Sequence, residues 1–426
     1  MYLAGEQTEA DLRTQIESAL KRTSRGFLKV VGIWTPPQTD MNDPMLGDVL
    51  QPLESFQTIQ QQLSQEYTVR GIDLSTGQVS ADVDVLVLIE PTGFTDRELF
   101  TVDQYLMRGG AVIVVGGAYR LTYDQYQNTL SLTPIADGIG PLLQHYGVML
   151  GNSLVLDEQN AAFPVTTVRS VGGMQVQEIQ AVNYPFFVDV RSDGMNTENP
   201  IVANLPTVTM SWASPVQLDE AKNAGRETAV LLQTSNKAWE RTDTTIEPDF
   251  NLYPELGFSV PITQQTYPLA VTVQGIFASY FANQPNPFQS DPTLAAAGSP
   301  TGQYNTIATS PDSARLIVIG SSTLVDDFTT SLSARLNGDL YLNNLQFLQN
   351  AVDWSVEDLD LLSIRARGSA SRVLNALEEN EQTFWEVANY VVALVALVAI
   401  YLAWRARSRS EQPIELLPQT QVEVGD

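Results

Sequence analysis

Residues 83–89 read Val-Asp-Val-Leu-Val-Leu-Ile and form the strongest strand pattern in the chain, followed by Ala-Val-Ile-Val-Val at residues 111–115. Continuous apolar runs of this kind are typical of parallel strands that are covered on both faces. Between the two runs, Thr-Asp-Arg-Glu at residues 95–98 is a capping box that begins a helix, and Gly109 ends that helix. Strand, helix and strand in this order predict a right-handed crossover and a doubly wound α/β sheet.

The rest of the chain divides into segments that differ in hydrophobic periodicity and in amino-acid composition. From about residue 152, helical periodicity fades and proline, threonine, asparagine and glutamine become frequent, while residues 186–190, 228–232 and 269–273 read as short strands. A buried-strand pattern returns at residues 314–320. We therefore expect the following divisions: residues 1–150, the first part of an α/β domain; 151–310, a β-rich insertion or subdomain; 311–382, a final α/β unit and connecting helix; 383–405, a transmembrane helix; and 406–426, a cytoplasmic tail.

The predicted transmembrane helix is the strongest functional signal. Residues 387–404 contain no charged side chain, and with Phe384 and Trp385 the stretch reaches the roughly 20 residues that cross a bilayer core. Aromatic residues stand at both ends, as is usual at membrane interfaces. The alternative is a buried core helix. The side chains expected to form the membrane anchor are Trp385, Val391, Leu394, Leu397, Ile400 and Trp404.

The arginines that follow the span indicate its orientation. Arg405, Arg407 and Arg409 come directly after it, whereas acidic residues precede it. Basic residues beside a span tend to remain in the cytoplasm, so we expect the tail inside and the large body outside. Residues 1–27 show no apolar export signal. Either the chain is tail-anchored with a cytoplasmic body, or a further membrane segment precedes it, and the three arginines favour the second arrangement.

Charge and cysteine content exclude several classes of function. The chain carries 49 acidic and 23 basic residues, a formal net charge of -26. A surface this negative repels nucleic acid, which we exclude as a partner. The chain contains no cysteine, so disulfides, thiolate nucleophiles and zinc–thiolate sites are excluded together.

Catalytic signals are sparse, and we expect no catalytic, cofactor-binding or metal-binding residue. His145 is the one histidine in the sequence, and we interpret it as a surface or partly packed side chain. Ser321 and Ser322 follow a predicted strand, where open α/β sheets bind ligands, but their turn lacks the Gly-x-Ser-x-Gly spacing of a hydrolase. An anchored serine hydrolase that uses Ser321 or Ser322 with His145 remains an alternative.

Nucleotide and metal sites have little support. Gly116 and Gly117 follow a strand, but the sequence has neither Gly-x-Gly-x-x-Gly nor Gly-Lys-Ser/Thr. Oxygen-bearing side chains crowd residues 40–48, but their spacing does not match a calcium loop. We interpret that segment, and the pair Asp326 and Asp327, as solvated acidic turns.

The order of the motifs resembles the GldG-like auxiliary, substrate-binding-like component of gliding-motility-type ABC transport systems, in the ABC-type uncharacterized transport system family. The terminal membrane helix adds to the resemblance. At residues 34–37 and 116–117 the chain departs from sequences frequent in that family, which weakens any ligand site at the sheet edge. The matching segments are residues 19–23, 30–33, 86–91, 94–99, 105–110, 142–148, 155–157, 231–239, 319–323, 343–347 and 351–354.

The resemblance implies a flavodoxin-like, class I glutamine-amidotransferase-like domain without the amidotransferase machinery. It also implies a non-enzymatic accessory subunit that works with ABC permease and ATPase subunits and with the lipid bilayer, and it leaves the transported substrate unnamed. A cell-envelope scaffold or adhesion protein, with the same anchor and acidic body, is the alternative.

Overall fold

The computed structural model describes residues 28–37, 50–52, 55–124, 129–135, 138–171, 174–288, 305–337, 341–356 and 379–410. Residues 1–27, the acidic segment at 40–48 and the tail beyond 410 lie outside these residues. The chain divides into two units, Met1–Ser371 and Arg372–Asp426.

Strands outnumber helices in the described residues. The helices are α1 (Gln57–Ser64), α2 (Asp96–Met107), α3 (Gly140–His145), α4 (Asp327–Asn337), α5 (Tyr341–Ser355) and α6 (Glu379–Ser410). The strands are β1 (Val30–Trp34), β2 (Leu50–Pro52), β3 (Thr68–Gly71), β4 (Val85–Ile89), β5 (Ala111–Val115), β6 (Tyr119–Asp124), β7 (Thr129–Pro134), β8 (Val148–Leu150), β9 (Leu154–Asp157), β10 (Asn160–Val171), β11 (Met174–Arg191), β12 (Thr207–Ser211), β13 (Val216–Leu218), β14 (Glu227–Gln233), β15 (Ala238–Arg241), β16 (Pro268–Gln274) and β17 (Arg315–Ile319).

A mixed sheet forms the centre of the first unit. Its strand order is β14-β16-β17-β5-β4-β1-β3. From β17 to β3 the neighbours pair in parallel, with Val85 opposite both Val31 and Ala111. β16 runs antiparallel to both of its neighbours, β14 and β17. The protein is therefore a mixed α/β protein built on the apolar runs that the sequence predicts as strands.

Both faces of the central sheet are buried, because alternate side chains of each strand enter opposite core layers. Val85, Val87 and Ile89 of β4 join the layer that contains α1 and α5, whereas Leu86 and Leu88 join the layer that contains α2 and α3. All five side chains are fully buried. This two-sided cover explains why the strand sequences are continuously apolar.

The capping box that the sequence predicts at the start of α2 is confirmed. The Thr95 amide donates to the Glu98 carboxylate at 2.9 Å, and the Thr95 hydroxyl accepts from the Arg97 amide at 3.3 Å. After the helix, Gly109 takes a φ of 90°, a left-handed conformation that glycine adopts without a steric penalty.

The middle of the chain is rich in strands, as its sequence predicts. β10, β11 and β12 form an antiparallel sheet, and a third core of aromatic side chains lies beside it, including Tyr184 and Trp212. Two strands from the same stretch, β14 and β16, belong to the central sheet. The domain boundaries at residues 150 and 310 stay a prediction.

The second unit contains α6. Within it, residues 387–407 contain an 18-residue window with a mean hydropathy of 2.2, and none of that window is buried. Length and composition make this segment one candidate membrane span. Whether this helix crosses a membrane stays a prediction, and so does the alternative of a buried core helix.

Candidate functional site

The carboxyl edge of the parallel strands, where open α/β sheets bind ligands, is filled by the chain itself. The Ser214 amide donates to the Gly320 carbonyl at 2.6 Å, and the Ala118 amide donates to the Ser214 hydroxyl at 3.0 Å. Three loops, which follow β5, β12 and β17, therefore cross at this edge. A Cβ atom at Gly320 would collide with the Ser214 carbonyl oxygen, so the crossing requires glycine there.

The two candidate nucleophiles take part in this crossing. The Ser321 hydroxyl donates to the Ser211 carbonyl at 2.7 Å, and the Ser322 hydroxyl donates to the Tyr119 carbonyl at 2.8 Å. Both serines are buried. Both hydroxyls thus donate to backbone carbonyls in the interior, which is a structural role.

His145 lies at the opposite edge of the sheet. Its Nε2 atom is 3.0 Å from the carbonyl oxygen of Ala278, which follows the end of β16. That end pairs with Arg315 at the start of β17, whereas Ser321 follows the other end of β17. Five residues of strand, roughly 16 Å, separate the two edges. The structure therefore does not bring His145 together with Ser321 or Ser322.

Sequence reasoning missed a buried ion pair at the end of β4. Glu90 is fully buried, and its carboxylate lies 2.9 Å from the Nε atom of Arg120. The Glu90 backbone has a φ of 50°, which is unusual for a residue with a side chain, and its amide donates to the Val115 carbonyl at 2.7 Å. Arg120 balances a charge that burial would otherwise penalise.

An open polar cleft lies at the end of β14. It is lined by residues 158–159, 193–194, 233–237 and Thr266 and encloses about 530 Å³. β9 pairs with β15 beside it, with Asp157 opposite Ala238. Two of the segments that carry the family resemblance, 155–157 and 231–239, thus meet here, and sequence reasoning had not placed them together.

Asp157 holds the floor of the polar cleft in place. Its carboxylate accepts from the Ser235 amide at 2.7 Å, from the Ser235 hydroxyl at 2.6 Å and from the Gln159 amide at 2.9 Å. Burial raises the pKa of Asp157 above its ordinary value, while these hydrogen bonds act in the opposite direction. The Asp157 carboxylate therefore fixes the position of the loop that contains Ser235.

A salt bridge forms part of the wall. The Lys237 ammonium lies 3.0 Å from the Glu158 carboxylate. That carboxylate also accepts from the side-chain amide of Gln264 at 3.0 Å. Partial burial raises the pKa of Glu158, but the bonds from Gln264 and Lys237 outweigh it, and the pKa falls below its ordinary value. The wall thus has paired charges of both signs and many hydroxyl and amide groups. This chemistry suits a polar ligand.

The anchor residues lie on α6, which the structure describes separately from the body. Arg405, Arg407 and Arg409 fall in its last turns. Their role in orientation stays a prediction, as does the anchoring role of the apolar side chains. All six side chains predicted to form the anchor are exposed: Trp385, Val391, Leu394, Leu397, Ile400 and Trp404.

Comparison with solved structures gives only loose likenesses. The N-terminal domain of mmIFT52 matches with 12% identity and a TM-score of 0.38, over 77% of this chain and 96% of that domain. A ThuA-like protein from Bacteroides uniformis ATCC 8492 matches with 12% identity and a TM-score of 0.34, over 77% of this chain and 91% of that one. At these scores the likeness carries no argument.

Sequence comparison is more informative. An uncharacterized protein of Borreliella burgdorferi (strain ATCC 35210 / DSM 4680 / CIP 102532 / B31) is 19% identical over 340 residues. The match covers 78% of this chain but 58% of that relative, so the chain spans little more than half of the relative's length. A family model described as ABC-type uncharacterized transport system matches residues 29–351. The chain belongs to this family of auxiliary proteins of ABC-type transport systems.

Proposed function

We propose that the chain is a GldG-like, membrane-anchored and non-enzymatic accessory subunit of an ABC transport system, with its body outside the cytoplasm. The observation that carries the proposal is the family match over residues 29–351, which comprises most of the first unit. The family indicates an accessory transport component, and the sequence adds the means of anchoring it.

The anchor follows from α6. Its apolar segment is long enough to cross a bilayer. Three arginines follow the segment, and the positive-inside rule therefore assigns the tail to the cytoplasm and the body to the other side. Small residues on α6, such as Ala393 and Ala396, allow another helix to approach closely, and we propose a permease helix as that neighbour.

We propose that another polypeptide supplies the energy. The sequence has no Gly-Lys-Ser/Thr phosphate-binding loop, so a partner ATPase would supply the hydrolysis. For the body, we propose a flavodoxin-like domain related to class I glutamine amidotransferases. The order β3-β1-β4-β5-β17 of the parallel strands supports this, because it follows the 2-1-3-4-5 order of the flavodoxin-like fold.

Co-purification tests the proposal. The full chain, tagged and extracted from its own membranes in a mild detergent, is expected to bring an ABC permease and an ATPase with it. A variant with Ala393→Leu and Ala396→Leu should lose them, because bulkier side chains hold the helices apart, whereas Val398→Leu, on the opposite face of α6, should retain them. Recovery of the full chain without either subunit would instead favour the envelope scaffold.

A further inference from the structure

The polar cleft is a concave surface of polar groups, and nothing in the transport role assigns a ligand to it. Its volume of about 530 Å³ falls within the range of small-molecule sites. Its lining residues are all polar or glycine. We propose that the cleft binds a small, hydroxyl-rich solute, a neutral or amino-bearing saccharide. This inference stands on the cleft alone and does not depend on the proposed transport partners.

The walls of the cleft are fixed before any ligand arrives. Buried Asp157 holds Ser235 through both its amide and its hydroxyl. On the other wall, a Cβ atom at Gly194 would collide with the Gln233 carbonyl oxygen, so this turn packs directly on the end of β14. A wall that is already ordered loses little conformational entropy when a ligand binds. A surface depression between mobile side chains would lose more.

Several polar groups in the cleft have hydrogen-bonding capacity to spare. In the described part of the chain, no protein group binds the side-chain amide of Gln233 or of Asn236. The Asp193 carboxylate accepts from the Gly194 amide at 3.1 Å, and no described basic side chain pairs with it. An amide both donates and accepts, whereas a carboxylate only accepts. A solute with several hydroxyl groups can satisfy all three.

The charges in the cleft select among such solutes. Lys237 is paired with Glu158, so Asp193 contributes the charge that has no opposite partner in the wall. A negative wall favours a neutral or cationic sugar and repels an acidic one. The absence of apolar lining disfavours a peptide, since peptide recognition uses pockets for side chains.

Binding measurements on the full chain test the proposal. The protein is kept in a detergent without a sugar headgroup, and glucosamine, glucose, glucuronate and tri-alanine are titrated separately by calorimetry. We expect saturable binding of glucosamine and glucose, with glucuronate weaker than both. Asn236→Ala should weaken binding of both sugars roughly 2- to 10-fold, the effect of one lost hydrogen bond. Asp193→Asn should weaken glucosamine more than glucose.

A matched variant separates the cleft from the rest of the surface. Asn251 is an exposed asparagine outside the cleft, so Asn251→Ala should bind both sugars as the unmodified protein does. Thermal unfolding of each variant checks that it is folded. The proposal is overturned if no sugar binds saturably, if glucuronate or tri-alanine binds best, or if Asn251→Ala weakens binding as much as Asn236→Ala does.

Discussion

The ion pair between Glu90 and Arg120 stabilises the fold at the end of β4. Removing Arg120 leaves a carboxylate that is fully buried without its counter-charge. We predict that Arg120→Ala lowers the free energy of unfolding by about 3–5 kcal/mol. The double variant Glu90→Gln, Arg120→Ala should recover part of that loss, because no buried charge remains. Urea unfolding followed by tryptophan fluorescence measures both variants.

The control for this prediction is an exposed pair of the same chemistry. Arg70 and Asp82 lie 2.8 Å apart, with about half of each side chain exposed. Solvent screens such a pair, so Arg70→Ala should unfold close to the unmodified protein. Equal losses for Arg70→Ala and Arg120→Ala would show that burial of Glu90 has no special cost.

Gly320 is a second residue on which the body depends. An alanine Cβ there would collide with the Ser214 carbonyl and lie 3.2 Å from the Leu269 carbonyl. Because both neighbours are backbone, neither can rotate away, and we predict that Gly320→Ala costs about 3 kcal/mol. Gly71 is the matched position, with no atom within 4 Å of an added Cβ. If Gly320→Ala melts at the same temperature as Gly71→Ala, the loops do not cross as described.

At the scale of elements, α1 takes its cap from a distant part of the chain. The Asp327 carboxylate accepts from the amides of Gln57 and Thr58 at 2.8 and 2.9 Å. The interpretation of Asp326 and Asp327 as a solvated acidic turn is therefore wrong, since Asp326 is also buried and accepts from the Phe328 amide at 2.8 Å. The N-cap residue of α1, Phe56, makes no capping hydrogen bond through its side chain. We predict that Asp327→Ala costs about 1 kcal/mol at neutral pH. Asp312→Ala, at an exposed position, is the control.

The same cap predicts a pH dependence. Burial raises the pKa of Asp327, but hydrogen bonds from Thr58, Ser55 and Gln57 outweigh it and hold the pKa below the ordinary value of 3.8. The carboxylate therefore stabilises the fold fully above pH 3.8, and this contribution is lost as the pH falls through the lower folded value. The difference in unfolding free energy between the unmodified protein and Asp327→Ala should shrink below pH 3.8. A difference that stays constant into acid would contradict this cap.

At this scale, the sequence predicts features that depend on neighbouring residues. It does not predict contacts between residues far apart in the chain. The capping box of α2 joins Thr95 to Glu98, three residues apart, and it was readable without the fold. The cap of α1 joins residues 270 positions apart, and no local pattern announces it. The same holds for β14 and β16, whose apolar runs predict strands but not which sheet they join.

The polar cleft also depends on contacts between distant residues, which the sequence does not predict. Residues 155–157 and 231–239 were recognised as separate motifs, but their meeting depends on the pairing of β9 with β15. Asp157 is one acidic residue among 49 in the sequence, and only its burial beneath Ser235 distinguishes it. Composition, by contrast, predicted the candidate span directly, since an uncharged run of this length is readable without any tertiary contact.

At the scale of the whole molecule, the chain combines an acidic body with an apolar helix that is followed by arginines. We propose that the helix anchors the chain and that the body lies outside the cytoplasm. The absence of cysteine makes this directly measurable, because each introduced cysteine is the one reactive thiol of the chain. Asn251 is exposed on the body, and Gln419 lies in the tail sequence beyond the arginines.

The decisive measurement is labelling of the Asn251→Cys and Gln419→Cys variants in intact cells with a maleimide that does not cross membranes. The account predicts that Asn251→Cys reacts in intact cells and that Gln419→Cys reacts only after the membrane is opened, with both in the membrane fraction. Labelling of Gln419→Cys but not Asn251→Cys in intact cells, or recovery of the full chain in the aqueous fraction, would contradict it.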